Sequence, residues 1–64
     1  MRTLDAVKVA LRAKTGSDLV SGMVMTRVFL ATGINLKDIA PAQADDPAAV
    51  ATVIGAVRDA GFAI

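Results

Sequence analysis

The sequence predicts an all-α fold: a small single domain over residues 1–64, with three main helices and one short helical turn in bundle-like or orthogonal packing. Three observations support this prediction. Apolar residues recur at helical spacing in three segments, a residue type that caps helix N-termini precedes each segment, and a glycine follows each one. A chain of 64 residues is long enough for one domain.

The first helix is predicted to begin after Thr3, because threonine is a typical N-cap residue. Leu4, Val7 and Leu11 then recur at the spacing of one helix face. Gly16 is expected to end the helix, since glycine readily adopts the left-handed conformation found at helix C-termini. This first helix is therefore amphipathic.

The second helix, within the stretch SDLVSGMVMTRVFLATGI, is apolar on nearly every side. Ser17 or Asp18 is expected to cap it, and Gly33 to end it. A helix that is apolar all round is normally buried. A chain this short has little other sequence with which to bury the second helix, so the helix implies a partner.

Two finer features of the second helix are also predicted. Gly22, in its interior, is expected to let a neighbouring helix approach closely. Ile34 is expected to fold back onto Phe29 in a Schellman arrangement. The connection from the first helix is short enough to favour a tight helical hairpin or a sharp corner.

A short helix of one or two turns is predicted to follow the second helix. Asn35 would cap this helix, with Asp38 at the capping-box position, and Pro41 would end it. Residues 41–46 are expected to form a polar loop.

The third helix has the clearest start signal, the acidic residue Asp46 followed by Pro47. Its apolar stripe consists of Val50, Val53, Ile54 and Val57. Gly61 is expected to end it, with Phe62 packing back on Val57. The predicted core of the domain comprises Leu4, Val7, Leu11, Leu19, Met23, Val28, Phe29, Ile34, Leu36, Ile39, Val50, Val53, Ile54, Val57 and Phe62.

The composition argues against an enzyme. The chain contains no His, Cys, Trp, Tyr or Glu, so the imidazole base, the thiolate nucleophile and most metal ligands are missing. Asp45 and Asp46 are adjacent, but loop polarity and helix capping account for both. We therefore predict no catalytic, cofactor-binding or metal-binding residue. A cofactor carrier would need a modified Ser or Lys, for which nothing in the sequence argues.

The charge pattern and hydropathy predict a soluble protein whose compartment stays open. The net charge of +1 gives no electrostatic case for binding nucleic acid or an anionic membrane. The apolar run Leu19–Ala31 contains Arg27 and is shorter than the roughly 20 residues of a transmembrane helix. The N-terminal residues carry scattered charges and do not resemble a signal peptide.

We predict that the protein is a non-enzymatic interaction or assembly module. It would self-associate or serve as a small subunit of a larger complex, such as a virion or phage structural assembly. The 55% hydrophobic composition supports this function, as does a face of small residues on the third helix, although an exposed Ala-rich face without function explains those residues equally well. The interface candidates are Ala48, Ala51, Thr52, Gly55, Arg27 and Ile64. Arg27 is expected to extend its head group to solvent or to pair with Asp38 or Asp18. Anchoring a partner is the less favoured role for this residue.

The alternative function is a small helix-turn-helix protein that binds nucleic acid. In that interpretation the second helix and the turn at Gly33 precede a recognition helix that begins at Leu36–Ala40. Only Asn35 and Lys37 there suit base contacts, and basic residues for the phosphates are few. The sequence therefore favours a protein partner over nucleic acid.

Overall fold

The computed structural model describes residues 3–64, and within them the chain forms three α-helices and no β-strand. Helix α1 spans Leu4–Thr15, α2 spans Asp18–Thr32 and α3 spans Pro47–Asp59. Each helix packs against the other two in a compact globule, so the predicted all-α fold is confirmed. Met1 and Arg2, which belong to the predicted domain, lie outside the described residues.

The three N-caps are those that the sequence predicts. The side-chain oxygens of Thr3, Ser17 and Asp46 accept hydrogen bonds from backbone amides in the first turns of α1, α2 and α3, at 3.1, 3.4 and 3.1 Å respectively. Ser17, and not Asp18, is therefore the cap of α2. Each cap satisfies an amide that would otherwise lack a partner at the start of a helix.

Left-handed glycines end the first two helices, but the Schellman arrangement predicted for α2 is wrong. Gly33, with φ of 77°, makes a single bond from its N–H to the Phe29 carbonyl at 2.8 Å. The Ile34 N–H instead donates to the Thr32 hydroxyl at 3.1 Å. This bond turns the chain so that Ile34 is buried while the Phe29 side chain stays 46% exposed.

The C-terminal end of α3 does have the Schellman bonding pattern. Gly61 has φ of 98°, and its N–H donates to the Arg58 carbonyl at 2.9 Å. The Phe62 N–H donates to the Val57 carbonyl at 3.2 Å. Phe62 is half-buried and packs against the core, which contains Val57.

The short helix predicted at Asn35 is a turn, and a single helical turn forms further along the chain. The Asn35 Oδ1 accepts a bond from the Lys37 N–H at 2.9 Å, which makes an Asx turn and not a helix N-cap. The Ala40 carbonyl accepts bonds from the amides of two residues beyond Pro41, Gln43 and Ala44, at 2.9 and 3.2 Å. Because proline disfavours the α conformation in the residue before it but fits the first position of a turn, the helical turn lies within the predicted loop.

Most of the predicted core is buried. The buried members are Leu4, Val7, Leu11, Val28, Ile34, Leu36, Val50, Val53 and Val57, while Ile39, Ile54 and Phe62 pack at the edge. Leu19, Met23 and Phe29 are exposed, so their assignment to the core is wrong. The buried positions that the sequence did not indicate are Ser21, Val24, Met25 and Ala49.

Among the buried residues of α2, one is polar, Ser21. Ser21 is 1% exposed as a residue, and its hydroxyl donates to the Asp18 carbonyl at 3.1 Å within the same helix. A hydroxyl that is hydrogen-bonded in this way can be buried without a large free-energy penalty. The core therefore contacts the side of α2 that carries a small satisfied polar group, and larger apolar residues lie on the opposite side.

Candidate interaction surface

The outer side of α2 carries a line of exposed apolar residues. We call Leu19, Met23, Thr26 and Leu30 the α2 stripe; they are four, three and four residues apart, which is the heptad spacing of a helix-packing seam. The side chains of Leu19, Met23 and Leu30 are 75%, 65% and 80% exposed. The helical period places this stripe opposite the buried face, which consists of Ser21, Val24, Met25 and Val28.

The polar atoms within the α2 stripe already have partners. The Thr26 hydroxyl donates to the Gly22 carbonyl at 3.0 Å and accepts from the Lys37 ammonium at 3.3 Å. A Cβ atom at Gly22 would meet the end of the Lys37 side chain at 3.9 Å. Gly22 therefore faces a lysine and not a neighbouring helix, so the close approach predicted there is wrong.

Two shallow depressions flank the α2 stripe, and the one beside Phe62 extends its apolar surface. One has a volume of about 290 Å³ and lies between α2 and the C-terminal segment; it is lined by Val20, Met23, Val24, Arg27, Ala60 and Phe62. The other has a volume of about 380 Å³ and is lined by Asp18, Leu19, Gly22, Met23, Thr26 and Lys37. Arg27 and Lys37 thus lie on either side of the stripe, so cations border this apolar surface.

A third depression, of about 450 Å³, lies between α2 and α3, and we call it the α2–α3 groove. Arg27, Ala31 and Thr32 line it from α2. Ala51, Thr52, Gly55, Ala56 and Asp59 line it from α3. The structure therefore brings four of the predicted interface candidates together in one concave surface: Arg27, Ala51, Thr52 and Gly55.

The other two interface candidates lie outside the α2–α3 groove. Ala48 is exposed in the first turn of α3. Ile64 is half-buried and packs against the core, and its backbone carbonyl accepts a bond from the Arg58 guanidinium at 3.4 Å. Ile64 therefore helps to cover the core of its own chain.

Arg27 is exposed and pairs with neither of the two acids considered for it. Asp18 instead forms an ion pair with Arg12, at 3.2 Å between Nε and Oδ1, and both side chains are largely exposed. Arg27 lies where the α2–α3 groove meets the apolar depression beside Phe62, since it lines both.

Gly55 occupies open space. A Cβ atom built at this position meets no atom within 4 Å. Glycine in the interior of a helix is less stable than alanine by roughly 1 kcal/mol. The fold of its own chain therefore gains nothing from the missing side chain.

The described residues offer no arrangement for other kinds of site. Residues 3–64 contain no group of three acidic side chains that could hold a metal ion, and the Asp46 carboxylate caps α3. Leu36–Ala40, the recognition helix of the helix-turn-helix interpretation, does not form a helix. None of the helices described by the structure is long and apolar enough to cross a membrane.

Comparison of the chain with protein-family models, with curated proteins and with solved structures found no match.

Proposed function

We propose that this chain is a non-enzymatic protein–protein interaction module that self-associates through the α2 stripe. The observation that carries the proposal is the line of three large apolar side chains, Leu19, Met23 and Leu30, each at least 65% exposed. Scattered exposed apolar residues are normal on a protein surface, but these three lie at the spacing of a helix-packing seam. The depression beside Met23 adds Val20, Val24 and Phe62 to this surface.

The size of this surface favours a weak or moderate association. The described chain exposes 3855 Å² in total. A standard protein interface covers about 800 Å² on each partner, and the stripe is one side of a helix segment roughly 16 Å long. The stripe and its flanking depressions therefore make an interface at the lower end of the usual range. Affinities for such interfaces depend on a few well-buried apolar residues.

The proposal is tested by the mass of the protein in solution. Sedimentation equilibrium is measured on a dilution series from millimolar to low micromolar concentration, and circular dichroism is recorded on the same samples. We expect oligomers at high concentration that dissociate on dilution while the helical signal persists. A folded monomer at every concentration would refute self-association.

A further inference from the structure

We infer that Met23 is an oxidation site that regulates self-association through the α2 stripe. A peroxide converts the Met23 thioether to a sulfoxide while the chain stays folded, and the polar sulfoxide weakens the contact between copies. This inference rests on the proposed self-association and adds a means of regulating it. It is argued from the exposure of Met23, the burial of Met25 and the place of Met23 within the apolar surface.

Solvent access separates the two methionines of α2. Met23 is 65% exposed, whereas Met25 is 4% exposed and belongs to the hydrophobic core. Residues two apart in an α-helix point to nearly opposite sides, so the same helix presents one methionine to solvent and the other to the core. Because a peroxide must reach the sulfur through solvent, Met23 should react well before Met25. The third methionine, Met1, lies outside the described residues.

The reaction transfers one oxygen atom from hydrogen peroxide to the Met23 sulfur. A sulfur lone pair attacks one peroxide oxygen, an S–O bond forms and the O–O bond breaks. The proton on the transferred oxygen passes to the other oxygen, which leaves as water. The sulfur is oxidised by two electrons and the peroxide is reduced by two. The product is a polar and chiral side chain in place of a flexible apolar one.

Met23 lies at the centre of the apolar surface. It lines both depressions that flank the α2 stripe, the one beside Phe62 and the one beside Lys37. Within the stripe it lies one turn after Leu19 and two turns before Leu30. Copies that bury an oxidised Met23 must remove water from the sulfoxide oxygen. Burying a polar group without a new hydrogen bond should raise the dissociation constant about 5- to 150-fold.

The burial of Met25 confines this modification to the surface. A sulfoxide at Met25 would place a polar group among apolar core residues and destabilise the fold. A sulfoxide at Met23 stays in contact with solvent in the single chain. A chain oxidised at Met23 alone should therefore keep the helical signal and the melting temperature of the untreated monomer.

Association should in turn protect Met23 from oxidation. If the contact between copies covers Met23, peroxide reaches the sulfur only in dissociated chains. With a fixed excess of peroxide, the rate constant for oxidation of Met23 should fall as the protein concentration rises into the associating range. This dependence on concentration reports the covering of Met23 directly, and a change in the fold of the single chain would not produce it.

The test treats the full chain with hydrogen peroxide until peptide mass spectrometry shows oxygen added at Met23 and not at Met25. Sedimentation equilibrium and circular dichroism are then measured on treated and untreated samples. We expect a dissociation constant higher by about 5- to 150-fold and an unchanged helical signal. Methionine sulfoxide reductases, supplied with a thiol reductant, should restore the association.

Two variants identify the responsible sulfur. Met23→Leu removes the exposed sulfur, so peroxide should not change its dissociation constant relative to its own untreated sample. Met25→Leu keeps Met23 and should respond to peroxide as the wild type does; leucine and methionine have similar volumes, so the core should accept this change. Met1 is present in every variant, so its oxidation affects all samples alike.

The outcomes separate this inference from the proposed function. An untreated chain that stays monomeric at every concentration overturns both. An untreated chain that associates, with the Met23 sulfoxide associating equally well, overturns the regulation and leaves self-association intact. Oxidation of Met25 as fast as Met23, or a treated Met23→Leu that dissociates as the wild type does, also overturns the regulation. A folded monomer that forms only when Met23 is oxidised supports it.

Discussion

Replacing Leu30 by glutamine tests the α2 stripe with little effect on the fold. The Leu30 side chain is 80% exposed in the single chain, so the core loses almost nothing. Burying a whole leucine side chain stabilises by about 1.5–3 kcal/mol, and the exposed four-fifths of it corresponds to about 1.2–2.4 kcal/mol. If the association buries this side chain, Leu30→Gln should raise the dissociation constant by about 8- to 60-fold.

The assay for Leu30→Gln is sedimentation equilibrium, combined with thermal unfolding at a concentration where the wild type is monomeric. Leucine and glutamine have similar helix propensities, so the free energy of unfolding should change by no more than about 0.5 kcal/mol. Val9→Gln is the matched control, because Val9 is 61% exposed on α1, away from the stripe. The reasoning is refuted if Leu30→Gln associates as tightly as the wild type, or if Val9→Gln weakens association equally.

Three further predictions concern the stability of the single chain, and thermal or urea unfolding of the monomer measures each of them. Gly33→Ala forces a Cβ atom into the left-handed conformation with φ of 77°. We therefore expect the free energy of unfolding to fall by about 1–2 kcal/mol and the melting temperature to fall by several degrees. An unchanged melting temperature would contradict the C-cap assignment. Gly22→Ala should stabilise by about 0.8–1 kcal/mol, because the new methyl group meets only the Lys37 side chain at 3.9 Å, and a destabilised variant would show that the space is needed. Leu36→Ala should lower the free energy of unfolding by about 2–5 kcal/mol, because Leu36 is fully buried although it lies in a turn. A loss below about 1 kcal/mol would show that this turn contributes little to the core.

Local rules were sufficient to predict the helices and most of their ends. A cap such as Asp46 satisfies amides of its own first turn, and a glycine such as Gly61 ends a helix because of its own backbone freedom. The apolar stripes of α1 and α3 also identified their buried faces, since the opposite side of α1 is polar and the opposite side of α3 carries small residues. The helical turn beyond Pro41 shows the limit of these rules. Asn35 is a typical N-cap residue and predicts a helix before Pro41, whereas Pro41 favours a turn that begins at the proline itself.

The orientation of α2 was beyond the reach of its sequence pattern. Leucine, methionine, valine and phenylalanine lie all round this helix, so its periodicity favours no single buried face. Packing against α1 and α3 decided that Val24, Met25 and Val28 face the core and that Leu19 and Leu30 face outward. The hydrophobic pattern of α2 does not by itself make that choice.

For the candidate surface too, the sequence determined which residue types are present, and the structure determined where they lie. The sequence by itself determined that the chain holds more apolar material than a domain of this length readily buries, and that α3 carries small residues on one face. Only the tertiary structure placed Arg27 beside Gly55 in one groove and left the α2 stripe uncovered. These placements bring together residues that are far apart in the chain. The distances between residues of different helices are set by the packing of the helices, and the spacing of residues along one helix does not determine them.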